Sequence, residues 1–464
     1  MWGITLNRQC EMPLKRQLYN ALRSLILDGK LRGDEALPST RELAKNLGVS
    51  RNTVCEAYDM LIVEGFIKNR QGAATKVVEG LYVEKMSDSP TLEHEISTPT
   101  VLADFRTGQP DMRLFPRYAW QQMLHRVSEE IPLHQLGYTS PQGLSLLRDE
   151  ISGWLFRNRG LSVDPMDIFI TSGATHGLHM IGNLLYKDGQ NILIEDPCHM
   201  GMLHTFINKG FHIIPVPVDV QGIQIEYLNC KNTAAIYVTP SHQFPLGGIL
   251  PAERRASLIR YAREKGIYIV EDDYDSEFRY SGQPIAPLFA MDPQHVIYVG
   301  TFSKILFPAL RIGYVILPRQ LHKRWCELRI HTDVQNPTFE QSALAEFLHT
   351  RKLDRHVQKM RRIYGERRLI LLETLKEEFG EVWNLWGDAA GLHLVLEFSG
   401  INFDNEFIIN SNKNGIRINV VENYCIRKGF HLDKLLLGYG HLEPGEIKQN
   451  VLLLHDFMER CLII

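Results

Sequence analysis

The sequence lacks the long apolar segments that a membrane protein needs. No apolar run in its 464 residues comes near the roughly 18 residues that a membrane span requires, and even the stretch 451–454 is soon interrupted by polar residues. The first ten residues also lack the basic and then apolar order of a secretory signal. These absences predict a protein that stays in the cytoplasm and has no membrane partner.

The sequence also has few cysteines, and they form no metal-binding or redox pair. The seven cysteines are scattered without a CxxC motif, which leaves metal ligation unsupported. An odd and dispersed set suits a reducing compartment better than a disulfide framework. We therefore predict neither disulfides nor a metal site.

Charge of one sign does not dominate the chain. The net charge is −3, with 51 Lys and Arg against 54 Asp and Glu. Residues 1–80 are nevertheless mildly basic, with 12 Lys and Arg against 9 Asp and Glu. This asymmetry agrees with a nucleic-acid contact near the N-terminus, although solvated basic faces are also common.

Length and periodicity predict two domains joined by a linker. A chain of 464 residues is too long for one ordinary core. Short helical patterns fill residues 1–78, periodicity is lost over 79–100, and strand-like and helical runs alternate over 101–464. Such alternation predicts an α/β main domain with a largely parallel sheet. The strand-like runs are 168–171, 191–195, 235–239, 267–271, 296–301 and 312–318.

The N-terminal domain carries the pattern of two helices joined by a tight turn. The first helix begins after the hydroxyl group of Ser39, and Gly48 opens the turn. The second helix is capped by Ser50, and its first turn presents polar groups that can enter the major groove of DNA. Residues 64–67 and 71–77 then predict a two-stranded hairpin. Three apolar residues are assigned to the core of this domain: Leu43, Val54 and Leu61.

This region resembles the winged helix-turn-helix of the GntR family, whose LPSxRxLAxxLGVSRxTVxxAYxxLxxEGxI pattern it follows almost throughout. The resemblance implies binding to double-stranded promoter DNA, with phosphate contacts supplying affinity and the second helix supplying sequence choice. The family's wing usually reads GxGT, whereas residues 72–75 read GAAT. The DNA-contact residues that the resemblance implies are Arg41, Ser50, Arg51, Thr53 and Lys76. Arg41 and Lys76 could instead be solvated surface charges.

A lysine in the main domain lies where a cofactor anchor would lie. Lys304 follows the end of a predicted strand, after the hydroxyl groups of Thr301 and Ser303 and ahead of Arg311. A lone lysine is most often a surface charge. Here the mainly apolar stretch, the hydroxyl groups and the arginine suit a lysine that forms a Schiff base beside a phosphate site.

Two further strand ends carry groups that suit the same cofactor. Asp272 and Tyr274 end the preceding strand. An ionised aspartate keeps a pyridine nitrogen protonated, and a tyrosine can donate to a phenolic oxygen. Acidic strand ends can instead bind Mg²⁺ or cap helices. Farther upstream, residues 171–177 lead from a strand into a helix, whose free N–H groups suit a phosphate.

The order of these sites resembles that of fold-type I enzymes that use pyridoxal 5'-phosphate (PLP), the aspartate aminotransferase class, over residues 103–464. The resemblance implies that Lys304 holds PLP through a Schiff base, that Asp272 pairs with the ring nitrogen and that Tyr274 contacts the phenolic oxygen. The residues implied to bind the phosphate are Ala174, Thr175, Thr301, Ser303 and Arg311.

The same resemblance suggests further contacts to PLP. Tyr138 matches a tyrosine that reaches the phosphate of the neighbouring subunit, which implies a dimer. The usual asparagine has no clean match, and residues 241–247 offer His242 or Gln243 in its place. His199 could stack on the ring or be a polar loop residue.

The two halves together resemble the MocR/GabR subfamily of GntR-family regulators, and the segments SHQFPLG, EDDYDSEF and GTFSK carry this resemblance. The resemblance implies a PLP-dependent transcriptional regulator, expected to be a domain-swapped homodimer. Its two DNA-binding domains, called readers below, contact paired DNA repeats. Ligand capture at Lys304 is expected to shift domain closure and, through the linker, the spacing of the readers.

The effector site departs from that of the GABA-sensing members. His199 and Gly201 stand where those members carry an aromatic residue and then an arginine, and Asn423 stands where they carry a second arginine. Because guanidinium groups grip carboxylates through paired bonds, a GABA-like effector is disfavoured unless Arg417 or Arg427 substitutes. The signal is then PLP itself, with control of vitamin B6 synthesis, or a different small amine or amino-acid derivative.

Two rival interpretations stay open. One is an active PLP-dependent aminotransferase with an attached DNA-binding module, because Lys304, Asp272 and Tyr274 would permit half-transamination. The missing carboxylate arginines disfavour efficient turnover of ordinary amino acids. The other is a plain DNA-binding protein whose second domain holds no cofactor.

Overall fold

The chain divides into two compact units, Met1–Ser97 and Thr98–Ile464. The computed structural model describes residues 2–69, 74–82, 100–229, 231–280, 285–387 and 390–462. The boundary between the units falls within the predicted linker 79–100, most of which lies outside these residues. None of the helices described is long and apolar enough to cross a membrane.

The described residues of the first unit form three helices and a short hairpin. They are α1 Leu14–Leu27, α2 Thr40–Leu47, α3 Arg51–Val63, β1 Ile67–Lys68 and β2 Lys76–Val77. The two strands are antiparallel. The hairpin turn, with Gly72 and Ala73 of the predicted wing, lies outside the described residues.

Local hydrogen bonds fix the ends of the two central helices. The Ser39 hydroxyl oxygen accepts a hydrogen bond from the Glu42 N–H at 3.3 Å, and the Ser50 hydroxyl oxygen accepts one from the Thr53 N–H at 3.1 Å. Between them Gly48 has a φ of 63°, a left-handed conformation that glycine adopts readily. The predicted caps are therefore confirmed. The residues predicted as core are also confirmed as fully buried: Leu43, Val54 and Leu61.

The second unit contains a large sheet, a small sheet and surrounding helices. Its helices are α4 Arg117–Glu130, α5 Ser145–Arg159, α6 Ala174–Leu185, α7 Met200–Lys209, α8 Ala252–Lys265, α9 Leu288–Met291, α10 His322–Ile330, α11 Thr338–His349, α12 Lys352–Phe379, α13 Asn405–Lys413 and α14 Pro444–Leu462. Its strands are β3 Ala103–Asp104, β4 Ile168–Thr171, β5 Asn191–Asp196, β6 His212–Asp219, β7 Gly222–Ile223, β8 Thr233–Val238, β9 Tyr268–Asp273, β10 Val296–Thr301, β11 Gly313–Ile316, β12 Asn384–Trp386, β13 His393–Glu397, β14 Ile416–Arg417, β15 Asn419–Val420 and β16 Lys434–Gly438.

The large sheet has the order β4-β11-β10-β9-β8-β5-β6-β7. The strands from β10 to β6 are parallel neighbours, which confirms the predicted largely parallel sheet. β11 is antiparallel to both β10 and β4. The connection from β10 to β11, residues 302–312, contains no α-helix, so it is too short for the crossover that a parallel pair requires.

Both faces of the large sheet are buried. On β9, Ile269 packs into one hydrophobic cluster and its neighbour Val270 into another. Val296 and Ile297 of β10 alternate between the same two clusters. This arrangement explains the nearly continuous apolar runs in these strands, because successive side chains of a strand point to opposite faces.

The small sheet has the order β12-β13-β16-β15, with antiparallel pairs. It shares a hydrophobic cluster with residues of α12, α13 and α14. Its strand β13 begins at His393, which reaches the cavity described next.

Candidate cofactor site and DNA-binding surface

A cavity of about 260 Å³ lies where the parallel strands of the large sheet end. The strands β8, β9 and β10 run in the same direction, so their carboxyl ends meet at one edge. Binding sites in open α/β sheets typically lie at this edge. Polar residues from three of the predicted motifs therefore converge on one cavity.

Most of the predicted cofactor residues line this cavity. Those that do so are Ala174, Thr175, His199, Asp272, Tyr274, Thr301, Ser303, Lys304 and Arg311. Tyr138 and His242 are not among the described lining residues. The cofactor roles of all these residues stay predictions.

One end of the cavity offers groups that suit a phosphate. Ala174 is the first residue of α6, so the free N–H groups and positive end of this helix face the cavity. The Arg311 guanidinium donates to the Ser172 carbonyl oxygen. A Cβ atom on Gly173 would lie 2.9 Å from that guanidinium, so the glycine leaves the space that Arg311 fills. Ser303 and Thr301 are held together by a hydrogen bond of 3.1 Å between their hydroxyl groups.

Another wall carries a carboxylate with one unused oxygen. The Tyr237 hydroxyl donates to Oδ2 of Asp272 at 2.8 Å, while Oδ1 is buried and has no hydrogen-bond partner among the described residues. Burial, which the hydrogen bond from Tyr237 opposes, raises the pKa of Asp272 to about 7; the nearby Asp273 and Asp275 contribute to this rise and Lys304 opposes it. A protonated ring nitrogen would supply both the missing donor and a compensating charge.

Lys304 points its amine into the same cavity. Its Nζ donates to the Gly108 carbonyl oxygen at 2.7 Å. Burial lowers the pKa of Lys304, and the carboxylates of Asp275 and Asp272 partly oppose this. A lowered pKa increases the fraction of neutral amine, which is the nucleophilic form. The orphaned oxygen of Asp272, this amine and the phosphate end together fit PLP.

The remaining predicted residues have distinct positions. His199 caps α7, where its Nδ1 accepts a hydrogen bond from the Gly201 N–H at 3.1 Å, and its ring centroid lies 5.4 Å from that of Phe244. Tyr138 is 90% exposed on the segment before α5. His242 is buried next to Tyr274, with its Nδ1 3.0 Å from the phenol oxygen. His242 therefore reaches the cavity only through Tyr274.

Several cavity residues were missed by sequence reasoning. Tyr237 lies within a correctly predicted strand, and a hydroxyl group in so buried a strand was the available signal. Phe244, His393 and Tyr424 come from three distant segments, and the ring of Phe244 contacts the other two in the cavity lining. No local sequence pattern predicts His393 as a cavity residue, because it reaches the cavity through the position of the small sheet.

The two arginines considered as substitutes for carboxylate binding are engaged elsewhere. Arg427 pairs with Asp196 at 3.2 Å, and Arg417 lies 3.5 Å from Asp104. Neither lines the cavity. Arg311 is the one arginine among the described lining residues, and it lies at the phosphate end.

The predicted DNA-contact residues lie on and around the helix-turn-helix. Arg41, Ser50 and Arg51 are exposed, and Thr53 is half-buried. The Arg51 Nε donates to the Thr40 hydroxyl oxygen at 3.4 Å, which holds the guanidinium beside the start of α2. The first turn of α3 therefore presents a cation and two hydroxyl groups.

Lys76 is engaged in an ion pair. Its Nζ lies 2.7 Å from Oδ2 of Asp34, and Lys68 lies 3.3 Å from the other oxygen. Hydrogen bonds from Lys76 and Lys68 lower the pKa of Asp34. Exposed pairs of this kind are weak, so a phosphate can replace the carboxylate at little cost.

Comparison with known proteins separates the same two regions. Residues 14–77 match the family model for bacterial regulatory proteins of the gntR family, and residues 116–418 match that for class I and II aminotransferases. The structure of Pyrococcus horikoshii kynurenine aminotransferase in complex with PMP is similar with a TM-score of 0.72 and 25% identity, covering 82% of this chain and 96% of that one.

Two curated relatives extend over both regions. The probable rhizopine catabolism regulatory protein MocR of Rhizobium meliloti is 30% identical over 97% of this chain and 94% of its own length. The pyridoxine biosynthesis transcriptional regulator PdxR of Corynebacterium glutamicum is 35% identical over 85% of each chain.

Fold and site together define a PLP-dependent aminotransferase-like domain joined to a GntR-type DNA-binding domain. The chain belongs to the GntR family of bacterial transcriptional regulators, in the MocR group. The predicted family, fold class and cofactor are thereby confirmed.

Proposed function

We propose that this protein is a transcriptional regulator that senses PLP at Lys304 and changes its binding to promoter DNA in response. One observation carries this proposal. The cavity offers the groups that PLP needs, yet among its described lining residues no guanidinium other than Arg311 is present to hold an effector carboxylate. The cofactor itself is therefore the ligand that the cavity suits best, and control of vitamin B6 synthesis is the response that would match it.

The similarity to the pyridoxine biosynthesis regulator of Corynebacterium glutamicum supports the same signal. An active aminotransferase is less well supported. An ordinary amino-acid substrate brings a carboxylate, and Arg417 and Arg427 already pair with Asp104 and Asp196. A small amine that lacks a carboxylate is the alternative effector that this cavity would admit.

Different residues of the cavity would hold different parts of the ligand. When bound, PLP supplies an aldehyde that reacts with amines. Lys304 presents a buried amine with a lowered pKa, Asp272 offers an unfilled oxygen, and Arg311 with the start of α6 offers charge and N–H groups to a phosphate. Such a ligand changes DNA binding only to the extent that it binds the two conformational states with different affinity.

A homodimer is part of the proposal. Leu133 and Tyr138 are 84% and 90% exposed, although they lie close together on one short segment. Isolated exposed apolar residues are common, whereas a cluster of them suits burial against another protein surface. A second copy of this chain would cover the segment and bring its Tyr138 to the phosphate end of the neighbouring cavity.

Binding of the PLP-free protein to its own upstream DNA, titrated with PLP alone at fixed salt, tests the proposal. A clear change in DNA affinity supports PLP as the signal. An unchanged affinity, with PLP shown to be bound by its absorbance, would mean that a second ligand is the signal. The Lys304→Ala variant is the control, because it retains the reader but loses the attachment point. An undiminished response in this variant would contradict sensing through Lys304.

A further inference from the structure

A buried group of three polar side chains lies at the cavity wall, where Tyr274 and Asp275 line the cavity and His242 lies behind Tyr274. Nδ1 of His242 lies 3.0 Å from Oδ1 and 3.1 Å from Oδ2 of Asp275, and 3.0 Å from the phenol oxygen of Tyr274. His242 and Asp275 are each 2% exposed. A Cβ atom on Gly391 would lie 2.2 Å from His242 and 2.6 Å from Asp275, so the glycine provides the space for this pair.

The three contacts determine which atom carries which proton. A carboxylate only accepts hydrogen bonds, so Nδ1 of His242 must carry a hydrogen to bond with Asp275. A protonated Nδ1 has no lone pair in the ring plane, so it cannot accept a hydrogen bond from the Tyr274 hydroxyl 3.0 Å away. Burial and the charges of Asp275 and Asp272 raise the pKa of Tyr274 well above its usual value, so the phenol keeps its hydrogen. That hydrogen is then free to be donated into the cavity.

We propose that Asp275 and His242 are positioning residues that turn the Tyr274 hydroxyl hydrogen toward the cavity, where it is donated to the phenolic oxygen of bound PLP. This inference rests on the proposed function only in requiring PLP at Lys304. His242 therefore does not contact the ligand itself and instead acts through Tyr274.

A donated hydrogen bond to the phenolic oxygen stabilises its negative charge. The attraction between that charge and a proton on the nitrogen joined to Lys304 becomes weaker, so the nitrogen loses its proton at lower pH. Loss of the donor must therefore raise the pH midpoint at which the visible absorbance of the PLP-bound protein changes. The expected rise is roughly half a unit to one unit, the size that the loss of one hydrogen bond gives.

Other groups also face these atoms and set the direction of competing effects. The groups near His242 are Asp275, Tyr274 and His393, whose ring centroid lies 5.1 Å away. Burial lowers the pKa of His393 to about 4, so this ring is neutral throughout the titration. Around Lys304 lie Asp272, Asp275 and His199. Asp275 raises the pKa of the Lys304 amine, so removal of its charge alone would lower the midpoint.

The test is a pH titration of visible absorbance on the full PLP-bound protein and its variants. Tyr274→Phe removes the donor and serves as the reference. Asp275→Asn keeps the side-chain shape, but its amide N–H can donate to Nδ1 of His242. Nδ1 then acts as an acceptor, so the Tyr274 hydroxyl hydrogen can turn toward it and away from the cavity. His242→Phe keeps a ring without a donor. We expect Tyr274→Phe and His242→Phe to raise the midpoint, and we expect His242→Phe to add no further rise in the Tyr274→Phe background. Asp275→Asn should raise the midpoint less, because the lost charge of Asp275 acts in the opposite direction.

Asp273→Asn is the matched control. Asp273 is an equally buried neighbouring carboxylate, but it is bonded to Tyr298 at 2.6 Å and Arg159 at 2.8 Å and does not line the cavity. Its loss should not raise the midpoint. A lowered or unchanged midpoint in His242→Phe, or an equal rise when His242→Phe is added to the Tyr274→Phe background, would overturn the inference. A wild-type protein that shows no PLP absorbance would overturn both the inference and the proposed function.

Discussion

At the residue scale, the hydrogen bond between Tyr237 and Asp272 prepares the cavity for a cationic ring. The two residues lie on the adjacent strands β8 and β9, and the phenol satisfies one carboxylate oxygen while the other stays unpaired. Leaving a buried oxygen unpaired costs about 1–3 kcal/mol. A ligand that supplies the missing donor recovers this cost, so an unsatisfied atom in the free protein contributes to affinity.

Replacement of Tyr237 by phenylalanine should weaken PLP binding. Asp272 would lose its only described donor and its pKa would rise further, so the charged form that a ring N–H needs would become less populated. A hydrogen bond to a charged group contributes about 1.5–3 kcal/mol, so the Kd for PLP should rise at least about tenfold. Equilibrium titration of PLP absorbance measures this change.

Tyr298→Phe is the control for that prediction. The Tyr298 hydroxyl donates to Asp273 at 2.6 Å, which reproduces the same chemistry on the next strand away from the cavity. This variant should lose a similar amount of stability without a comparable change in PLP affinity. Equal effects of the two substitutions on affinity would contradict a specific role for Tyr237.

The raised pKa of Asp272 also predicts how stability depends on pH. The folded, PLP-free protein keeps this carboxyl protonated up to about pH 7, whereas the unfolded chain loses the proton near pH 4. The contribution of Asp272 to the free energy of unfolding therefore falls as pH rises through this window and levels off above it. Asp272→Asn should consequently gain stability relative to the wild type between pH 5 and 8. Urea unfolding at several pH values measures the difference, and a constant difference would disagree with the raised pKa.

At the element scale, α2 and α3 are defined by local chemistry. Each begins at a serine whose hydroxyl oxygen accepts a backbone hydrogen bond, and the left-handed Gly48 ends the first of them. A serine cap stabilises a helix by about 1 kcal/mol. In α3 the cap also fixes the direction of the first turn. The residues that start this helix are therefore also the ones that expose its polar side chains.

Replacement of Arg51 by alanine should weaken operator binding. Its exposed guanidinium lies at the start of α3, where a recognition helix contacts DNA. We expect the Kd for operator DNA to rise about tenfold, the cost of one lost charged contact. Asp59→Ala, an exposed position two turns farther along α3, is the control and should not weaken binding. Electrophoretic mobility shifts at several salt concentrations would distinguish a phosphate contact from a base contact. Wild-type affinity in Arg51→Ala would rule out both kinds of contact.

At the scale of the whole molecule, the exposed apolar residues near Tyr138 predict self-association. Replacement of Leu133 by aspartate places a charge on a side chain that is 84% exposed in the single chain. If a second copy covers this segment, the variant should sediment as a monomer and bind PLP more weakly, because the partner's phosphate contact is lost. Phe430→Asp, at a side chain that is 71% exposed on a distant segment, is the control. A monomeric wild type would contradict the proposed dimer.

The local order of the chain could be predicted well from its sequence. Helix caps and the tight turn depend on residues within three positions of one another, as at Ser50 and Thr53. The buried strands could also be predicted, because a strand that is buried on both faces requires a continuous apolar run. Lys304 and Arg311, the predicted Schiff-base lysine and phosphate-binding arginine, are close in sequence, so their association needs no knowledge of distant contacts.

What the sequence determined by itself was therefore the DNA-binding domain, the parallel sheet and the order of the predicted cofactor residues along the chain. Only the tertiary structure decided that Tyr237 bonds to Asp272, that His242 contacts both Asp275 and Tyr274, and that His393 enters from the small sheet. The reason is physical. Propensities and caps act over a few neighbouring residues, whereas these contacts join side chains that only the packing of separate strands and loops brings within hydrogen-bond distance.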